Sequence, residues 1–148
     1  MIHHDILIRP AALHDAPALS ALLPELGYEL SAERLTDKLA RFAASANEGV
    51  FVAERDSIVI GLISLHVLEF FHDDGNLGRI TALVVTEAGR GLGVGAALVA
   101  AGETWCAARG VTHMEVTSSE YRIAAHPFYE ACGYAVIKQR FVKTLPVA

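Results

Sequence analysis

The chain has 148 residues, 53% of them apolar and 20% charged, which indicates one packed domain and excludes a disordered protein. Its formal net charge is -5 and no Lys/Arg cluster stands out, so binding to nucleic acid is not expected. No apolar run approaches the roughly 20 residues that span a bilayer, and the N-terminus lacks a signal-peptide plan, which together favour a cytoplasmic location without membrane contact.

The first third of the chain is predicted to form one strand and two helices. Residues 6–9 suit a short strand, and Asp15 can cap the helix that follows. That helix is indicated by apolar residues at helical spacing, Leu19, Leu22, Leu23 and Leu26. Pro24 interrupts it and forces a bend near Gly27. Ser31 then caps a second helix, whose apolar face comprises Leu35, Leu39, Phe42 and Ala43.

The rest of the chain is predicted to alternate strands and helices. Apolar and β-branched residues indicate strands at 50–54, 58–67, 79–85 and 113–117, with a tight turn at 55–57 and a loop at 70–76. Helical spacing indicates helices at 93–109 and 124–132, each ended by a glycine. Residues 134–145 supply one or two closing strands. This order predicts a mixed α/β or α+β sheet with helices on both faces.

The segment Arg90-Gly91-Leu92-Gly93-Val94-Gly95 lies between a predicted strand and a predicted helix. Alternate glycines let backbone N–H groups converge on one point, which residues with a Cβ allow less readily. The helix N-terminus adds a partial positive charge, and the guanidinium of Arg90 can add a full one. The segment therefore predicts a binding site for a pyrophosphate.

Other interpretations of this segment are weaker. Gly91, Gly93 and Ala96 satisfy the dinucleotide fingerprint, but residues 86–90 separate the strand from the first glycine, where that fingerprint needs almost none. The rest of the chain is also too short for the remaining strands of such a sheet. No Gly-Lys-Ser/Thr follows, which excludes a Walker A loop. A flexible glycine turn without a ligand stays open.

Two motifs carry a family resemblance. Residues 83–95 resemble the coenzyme A signature of the GNAT family of N-acetyltransferases, Arg/Gln-x-x-Gly-x-Gly/Ala, which Arg90, Gly93 and Gly95 match. Residues 125–134 resemble the family's second marker, Ala-x-x-Phe-Tyr-x-x-x-Gly-Phe/Tyr. The motifs occur in the family's order, and the resemblance extends over nearly all of 1–148 as a single N-acetyltransferase domain. It implies a mixed, mostly antiparallel sheet of six to seven strands, with helices on both faces and a splayed parallel central pair.

The resemblance also implies acetyl-CoA as cosubstrate, held between the splayed strands at 79–85 and 113–117. Backbone groups of Leu83, Val84 and Val85 would hydrogen-bond the pantetheine and the thioester. The pyrophosphate would be held by N–H groups of Gly91, Leu92, Gly93, Val94, Gly95 and Ala96. Phe128, from the second marker, is expected at the coenzyme. Arg122 stands where many members have Asn on the pantetheine, and it can either reach the phosphates or lie in solvent.

The implied reaction is direct attack of an amine on the thioester in a ternary complex. Tyr129 matches the family's tyrosine and is the predicted general acid, which would protonate the departing thiolate. The base is less clear, because Thr81 stands where relatives often have Glu, and threonine is no base at neutral pH. The alternatives are His66, whose residue type titrates near neutral pH, Glu69, Glu120 and a bound water. Thr81 can still orient a water or a substrate group.

The acceptor is expected to be a small-molecule or protein amine. In such folds it binds near residues 24–31, the 70–76 loop and the chain's end, where Glu25, Asp73 and Asp74 weakly favour a cationic acceptor. A homodimer is plausible because relatives often pair through their C-terminal strands. Loss of the usual Glu at Thr81 leaves a catalytically impaired coenzyme-binding module as the alternative function.

No metal site is expected, because no His/Cys spacing resembles that of a zinc site. Cys106 and Cys132 lie within apolar helical patterns, which favours buried free thiols over a disulfide.

Overall fold

The computed structural model describes residues 5–117, 125–137 and 140–147, and the chain divides into two compact units, Met1–Thr117 and Ser118–Ala148. The described strands are β1 (Leu7–Pro10), β2 (Glu48–Arg55), β3 (Ile58–Glu69), β4 (Asn76–Val85) and β5 (Val111–Val116). The described α-helices are α1 (Ala16–Leu22), α2 (Ala32–Ala43), α3 (Val94–Ala107) and α4 (His126–Ala131). Their order and type agree with the sequence prediction as far as α4. Among the described residues, no helix is both long and apolar enough to cross a membrane.

The strands of the first unit form one sheet in the order β1-β2-β3-β4-β5. The first four strands pair antiparallel with their neighbours, and β5 pairs parallel to β4. The predicted α+β class, with a mixed and mostly antiparallel sheet and one parallel pair, is therefore confirmed. The described part of the sheet has five strands where six to seven were expected.

The closing strands account for this difference. Of the predicted segment 134–145, the described residues 134–137 and 140–145 form no strand. Their large apolar side chains are exposed, among them Ile137, Phe141 and Leu145. Apolar and β-branched residues favour strands only where they fit a pleated and half-buried surface. The apolar and β-branched composition of 134–145 was therefore insufficient by itself to define a strand.

The two faces of β3 pack against helices on opposite sides of the sheet. Leu62 joins a buried cluster with Leu19 of α1 and Leu39 of α2. On the other face, α3 approaches so closely that a Cβ added to Gly102 would lie 2.9 Å from Cδ2 of Leu65. Because neighbouring strand residues point to opposite faces, this arrangement places helices on both sides of the sheet, as predicted.

The start of the first helix differs from the prediction. Asp15 does not cap α1 with its side chain. Its carboxylate instead accepts the Ala12 N–H at 2.7 Å, and it receives two bonds from the Arg9 guanidinium at 2.8 and 2.9 Å. The charged guanidinium donates two hydrogen bonds at once, so the carboxylate binds it in preference to an N–H group of the helix. As predicted, α1 ends before Pro24, and a 3-10 turn closes at Gly27, whose φ is 87°.

Two β-bulges set the register of the central strands. In the β2–β3 hairpin, Glu54 pairs with Val59 but Ala53 pairs with Gly61, which leaves Ile60 as an extra residue. Between β3 and β4, Ser64 pairs with Ala82 and Leu65 with Ile80, so that Thr81 is extra on β4. A bulge re-aims the side chains around it. Both bulges therefore determine which polar groups meet on the face covered by α1 and α2.

Both cysteines are free, as predicted, but only Cys106 is buried, whereas Cys132 is half-buried. Cys106 is a fully buried residue of α3, and this burial raises the pKa of its thiol to about 11. The thiol is therefore protonated near neutral pH, which makes it an unreactive core residue.

Candidate active site

The glycine-rich segment forms a tight loop between β4 and α3. A 3-10 turn at Glu87–Gly89 follows β4, and α3 begins at Val94. Gly91 and Gly93 both have φ of 77°, in the left-handed region that favours glycine. A Cβ added to either of them would meet no atom within 4 Å, so the space beside the loop is open.

The N-terminus of α3 presents backbone N–H groups to this open space. Gly93 is the N-cap and provides no side-chain bond, and the first helical bond is donated by Ala97 to the Gly93 carbonyl. The N–H groups of the preceding turn, Val94 to Ala96, therefore have no acceptor within the helix. Such a helix start with glycines before it suits a phosphate or pyrophosphate. The residues predicted to hold the coenzyme pyrophosphate thus form a suitable cradle.

Arg90 lies at the edge of this loop with 63% of its side chain exposed. Its Nη2 is 3.6 Å from Oε2 of Glu25, in the 3-10 turn after α1. An exposed pair of this kind is weak, and an incoming phosphate can replace the carboxylate. Glu25, which was considered for the acceptor site, therefore contacts the glycine-rich loop.

Strand β4 extends beyond its pairing with the parallel strand β5, in the part where the pantetheine was predicted to bind. Their pairing runs from Asn76 and Val111 to Ile80 and Val116. Beyond that point β4 continues to Val85 and pairs only with β3 among the described strands. Backbone groups of Leu83, Val84 and Val85 therefore lie in the part of β4 beyond its pairing with β5, and the splayed pair stays a prediction.

A cavity of about 630 Å³ lies between the sheet and the two N-terminal helices. Its apolar wall includes Leu19, Leu26, Leu35, Leu39, Phe42 and Leu62. Its polar lining includes Glu29, Lys38, Glu48, Ser64, His66 and Thr81. A largely apolar cavity with a few convergent polar groups is typical of a small-molecule site.

His66 is held inside this cavity by a carboxylate. Its Nδ1 lies 2.6 Å from Oε1 of Glu48, which is its direct partner across β2 and β3. An ionised carboxylate can only accept a hydrogen bond, so this contact favours the tautomer with hydrogen on Nδ1 and a lone pair on Nε2. The pair therefore presents an oriented proton acceptor.

The other candidates for the base lie in different surroundings. Thr81, the bulge residue of β4, lines the cavity and donates its hydroxyl to Oγ of Ser64 at 2.8 Å. Glu69 ends β3 three residues after His66, so it points to the opposite face, and it does not line the cavity. Asp73 and Asp74 do not line it either. Glu120 and Arg122 lie outside the described residues.

The second unit contains the predicted acid. Tyr129 lies on α4, where its ring packs edge-on against Phe128 and Tyr134 at centroid distances of 5.1 and 6.1 Å. The Tyr134 N–H donates to the Tyr129 carbonyl at 3.0 Å. Pro127 is accommodated in the first turn of α4. Contacts with residues near it in the sequence therefore orient the Tyr129 ring.

Three cavity residues were not found from the sequence, namely Glu48, Ser64 and Lys38. One signal was present for Ser64, because Ser64 and His66 are polar at alternate positions of an otherwise apolar strand. A buried face with polar residues two apart is unusual and indicates a site. Glu48 carries no such signal, since its position depends on the strand register. In the part of the chain that the structure describes, no three metal-ligating side chains lie together.

Solved structures place the fold among N-acetyltransferases. An aminoglycoside N-acetyltransferase in complex with CoA superposes with a TM-score of 0.86 at 15% identity, covering 99% of this chain and 98% of that one. Glucosamine-6-phosphate N-acetyltransferase from Arabidopsis thaliana gives a TM-score of 0.81 at 19% identity, covering 96% of this chain and 99% of that one. At these identities the likeness defines the class of fold.

Sequence comparison defines the family. The model of the Acetyltransferase (GNAT) family matches residues 16–134. The chain is also 32% identical over 139 residues to the aminoalkylphosphonate N-acetyltransferase of Salmonella typhimurium, covering 93% of this chain and 90% of that protein. The chain belongs to the GNAT acetyltransferase family and is an acetyltransferase.

Proposed function

We propose that this enzyme transfers the acetyl group of acetyl-CoA to the primary amine of a small molecule bound in the cavity. The observation that carries this proposal is the placement of the His66–Glu48 pair. The pair shares the cavity with Thr81 and Ala82 of β4, and the segment predicted to bind the coenzyme begins at the next residue, Leu83. An amine held beside His66 would therefore lie close to the coenzyme's path along β4.

Acetyl-CoA supplies the activated acetyl group as a thioester. The chain must bind its pyrophosphate, orient the amine and move two protons. The α3 N-terminus suits the first task. For the second and third, Nε2 of His66 can accept a proton from the substrate ammonium, whose ordinary pKa near 10.4 keeps it protonated at neutral pH. Glu48 stabilises the resulting imidazolium, and Tyr129 supplies the proton for the departing thiolate.

Coenzyme binding is tested by thermal unfolding with acetyl-CoA, CoA and NAD. We expect acetyl-CoA and CoA to raise Tm and NAD to leave it unchanged. At 100 times Kd, binding adds about 2.7 kcal/mol to the free energy of unfolding, or on the order of 5–10 °C for a chain of this size. Absence of a shift at millimolar acetyl-CoA would contradict the proposal.

A matched pair of variants localises the coenzyme. Gly93 and Gly110 both have φ of 77°, at opposite ends of α3, so an alanine costs about 1 kcal/mol of strain at either position. Only the Cβ of Gly93→Ala would project into the pyrophosphate space. We expect Gly93→Ala to raise the Kd of CoA by about tenfold or more, whereas Gly110→Ala leaves it unchanged. Equal affinities in the two variants would place the coenzyme elsewhere.

The acceptor is sought with an assay of thiol release over a panel of primary amines. The Salmonella relative is named for aminoalkylphosphonates, so these compounds head the panel, followed by amino sugars, aminoglycosides, polyamines and lysine peptides. Turnover of small amines with no turnover of peptides is the expected result. Coenzyme binding without turnover over the whole panel would favour the catalytically impaired alternative.

The role of Tyr129 is tested by removing its hydroxyl. Tyr129→Phe keeps the ring contacts of α4 but removes the proton donor, so kcat should fall by more than about tenfold while the Kd of acetyl-CoA stays unchanged. Tyr134→Phe is the matched control, because it removes a neighbouring hydroxyl where the family's motif takes either ring. An unchanged kcat in Tyr129→Phe would exclude the acid role.

A further inference from the structure

The apolar face of α2 contains a lysine. Helical spacing places four residues of α2 along the cavity, Leu35, Lys38, Leu39 and Phe42. A position within such a stripe is normally apolar, because an ammonium loses hydration when it lies against a core. Lys38 is half-buried and lines the cavity. A lysine at such a position can pack its stem along an apolar wall and keep its ammonium accessible to a ligand.

The carboxylates of the cavity do not neutralise this charge. Glu48 is engaged with Nδ1 of His66 at 2.6 Å, and Glu29 is exposed. Among the described residues, Lys38 forms no ion pair or hydrogen bond. A half-buried cation without a counter-charge in a concave site suits an anionic ligand. The net charge of -5 repels anions from the protein as a whole, so a local cation is needed to bind one.

We propose that Lys38 binds an anionic group of the acceptor, so that the substrate is a small amine that also carries a phosphonate, phosphate or carboxylate. This inference rests on the proposed function, because it places the substrate amine in the same cavity. The anion contacts α2, while the amine faces the polar groups of the sheet, His66, Ser64 and Thr81. The cavity thus has a cationic side and a proton-accepting side, which together match a zwitterion.

The test is a calorimetric titration of the full chain with three matched amines, 2-aminoethylphosphonate, β-alanine and propylamine. They share the aminoethyl group and differ in the third substituent, which is dianionic, monoanionic or neutral. Titrations are made with CoA, which has no acetyl group to transfer, and again without it. We expect at least one anionic amine to bind about tenfold or more tighter than propylamine.

Variants of α2 assign that preference to a residue. Lys38→Met keeps the length of the stem and its packing but removes the charge. This variant should lose the tenfold preference for the anionic amine but bind propylamine as tightly as the parent chain does. Lys38→Arg should keep most of the preference. Arg41→Met is the control, because it removes a cation from the same helix at an exposed position outside the cavity.

Two results would overturn the inference. In one, the parent chain binds propylamine as tightly as both anionic amines. In the other, Lys38→Met retains the preference, which would show that the lysine only covers the apolar wall with its stem. Failure of the chain to bind CoA would contradict the proposed function instead, and the titrations without CoA would still test Lys38.

Discussion

Replacing His66 with asparagine is expected to lower kcat by about 100-fold or more, the usual contribution of a general base. The asparagine amide can still donate to Glu48 in place of Nδ1, so the local hydrogen bond is retained while the lone pair of Nε2 is lost. The Kd of acetyl-CoA should not change, because the groups proposed to bind the coenzyme are backbone groups of β4 and α3. Steady-state kinetics with the best amine of the panel, combined with CoA titration, measures both quantities.

A second variant separates catalysis by His66 from a structural role. Glu48→Gln is the companion variant, because it keeps an acceptor for Nδ1–H but removes the charge that stabilises the imidazolium. We expect it to cost about tenfold in kcat. A His66→Asn enzyme with parental kcat would leave a bound water as the route for the proton.

Replacing Asp15 with asparagine is expected to lower the free energy of unfolding by about 3–5 kcal/mol at pH 7, as when a buried ion pair is broken. The Asp15 side chain is only 3% exposed and binds Arg9 through both oxygens, at 2.8 and 2.9 Å. Without the carboxylate, the Arg9 guanidinium, 22% exposed, keeps only longer contacts, to Glu54 and to the Pro10 carbonyl, both at 3.3 Å. Urea unfolding monitored by circular dichroism measures the loss.

The same carboxylate makes stability depend on pH. The hydrogen bonds from Arg9 hold the pKa of Asp15 below its ordinary value of 3.8, against the opposing effect of burial. A folded-state pKa below the unfolded one contributes stability above pH 3.8, and this contribution is lost as pH falls through the folded pKa. The difference in the free energy of unfolding between the parent and Asp15→Asn should therefore become smaller below about pH 4.

A control variant limits the effect to the buried pair. Glu54→Gln removes the longer and more exposed partner of Arg9, and we expect it to cost no more than about 1 kcal/mol. If the two proteins, parent and Asp15→Asn, differ by the same free energy of unfolding at pH 3 as at pH 7, the carboxylate charge is not the source of the stability.

Local sequence patterns predicted the element order well. Ser31 caps α2 by accepting the Arg34 N–H at 3.2 Å, and the turn at 55–57 joins β2 to β3 as expected. Strand and helix ends differ by up to about three residues, as in β4, which begins at Asn76 where residue 79 was expected. The end of an element depends on its neighbours, here on the pairing of Asn76 with Val111. Periodicity within a single segment does not contain that information.

The proposed coenzyme site could be predicted from the sequence because its chemistry is local. Gly91 and Gly93 permit the left-handed turn, and the helix that begins next to them orients its own N–H groups. The two family motifs are short and contiguous, so they identify the family without a structure. The predicted acid, Tyr129, belongs to the same kind of local motif, and its role stays a prediction.

The acceptor side was decided only by the tertiary structure. The bulge at Ile60 shifts the pairing of β2 and β3 by one residue, which places Glu48 opposite His66 instead of Leu65. The bulge at Thr81 likewise turns that hydroxyl toward Ser64. Because side chains alternate between faces, a shift of one residue changes every cross-strand neighbour beyond it. Such a shift results from the packing of distant segments, and so the amino-acid sequence by itself predicted the proposed coenzyme site but not which polar side chains meet in the cavity.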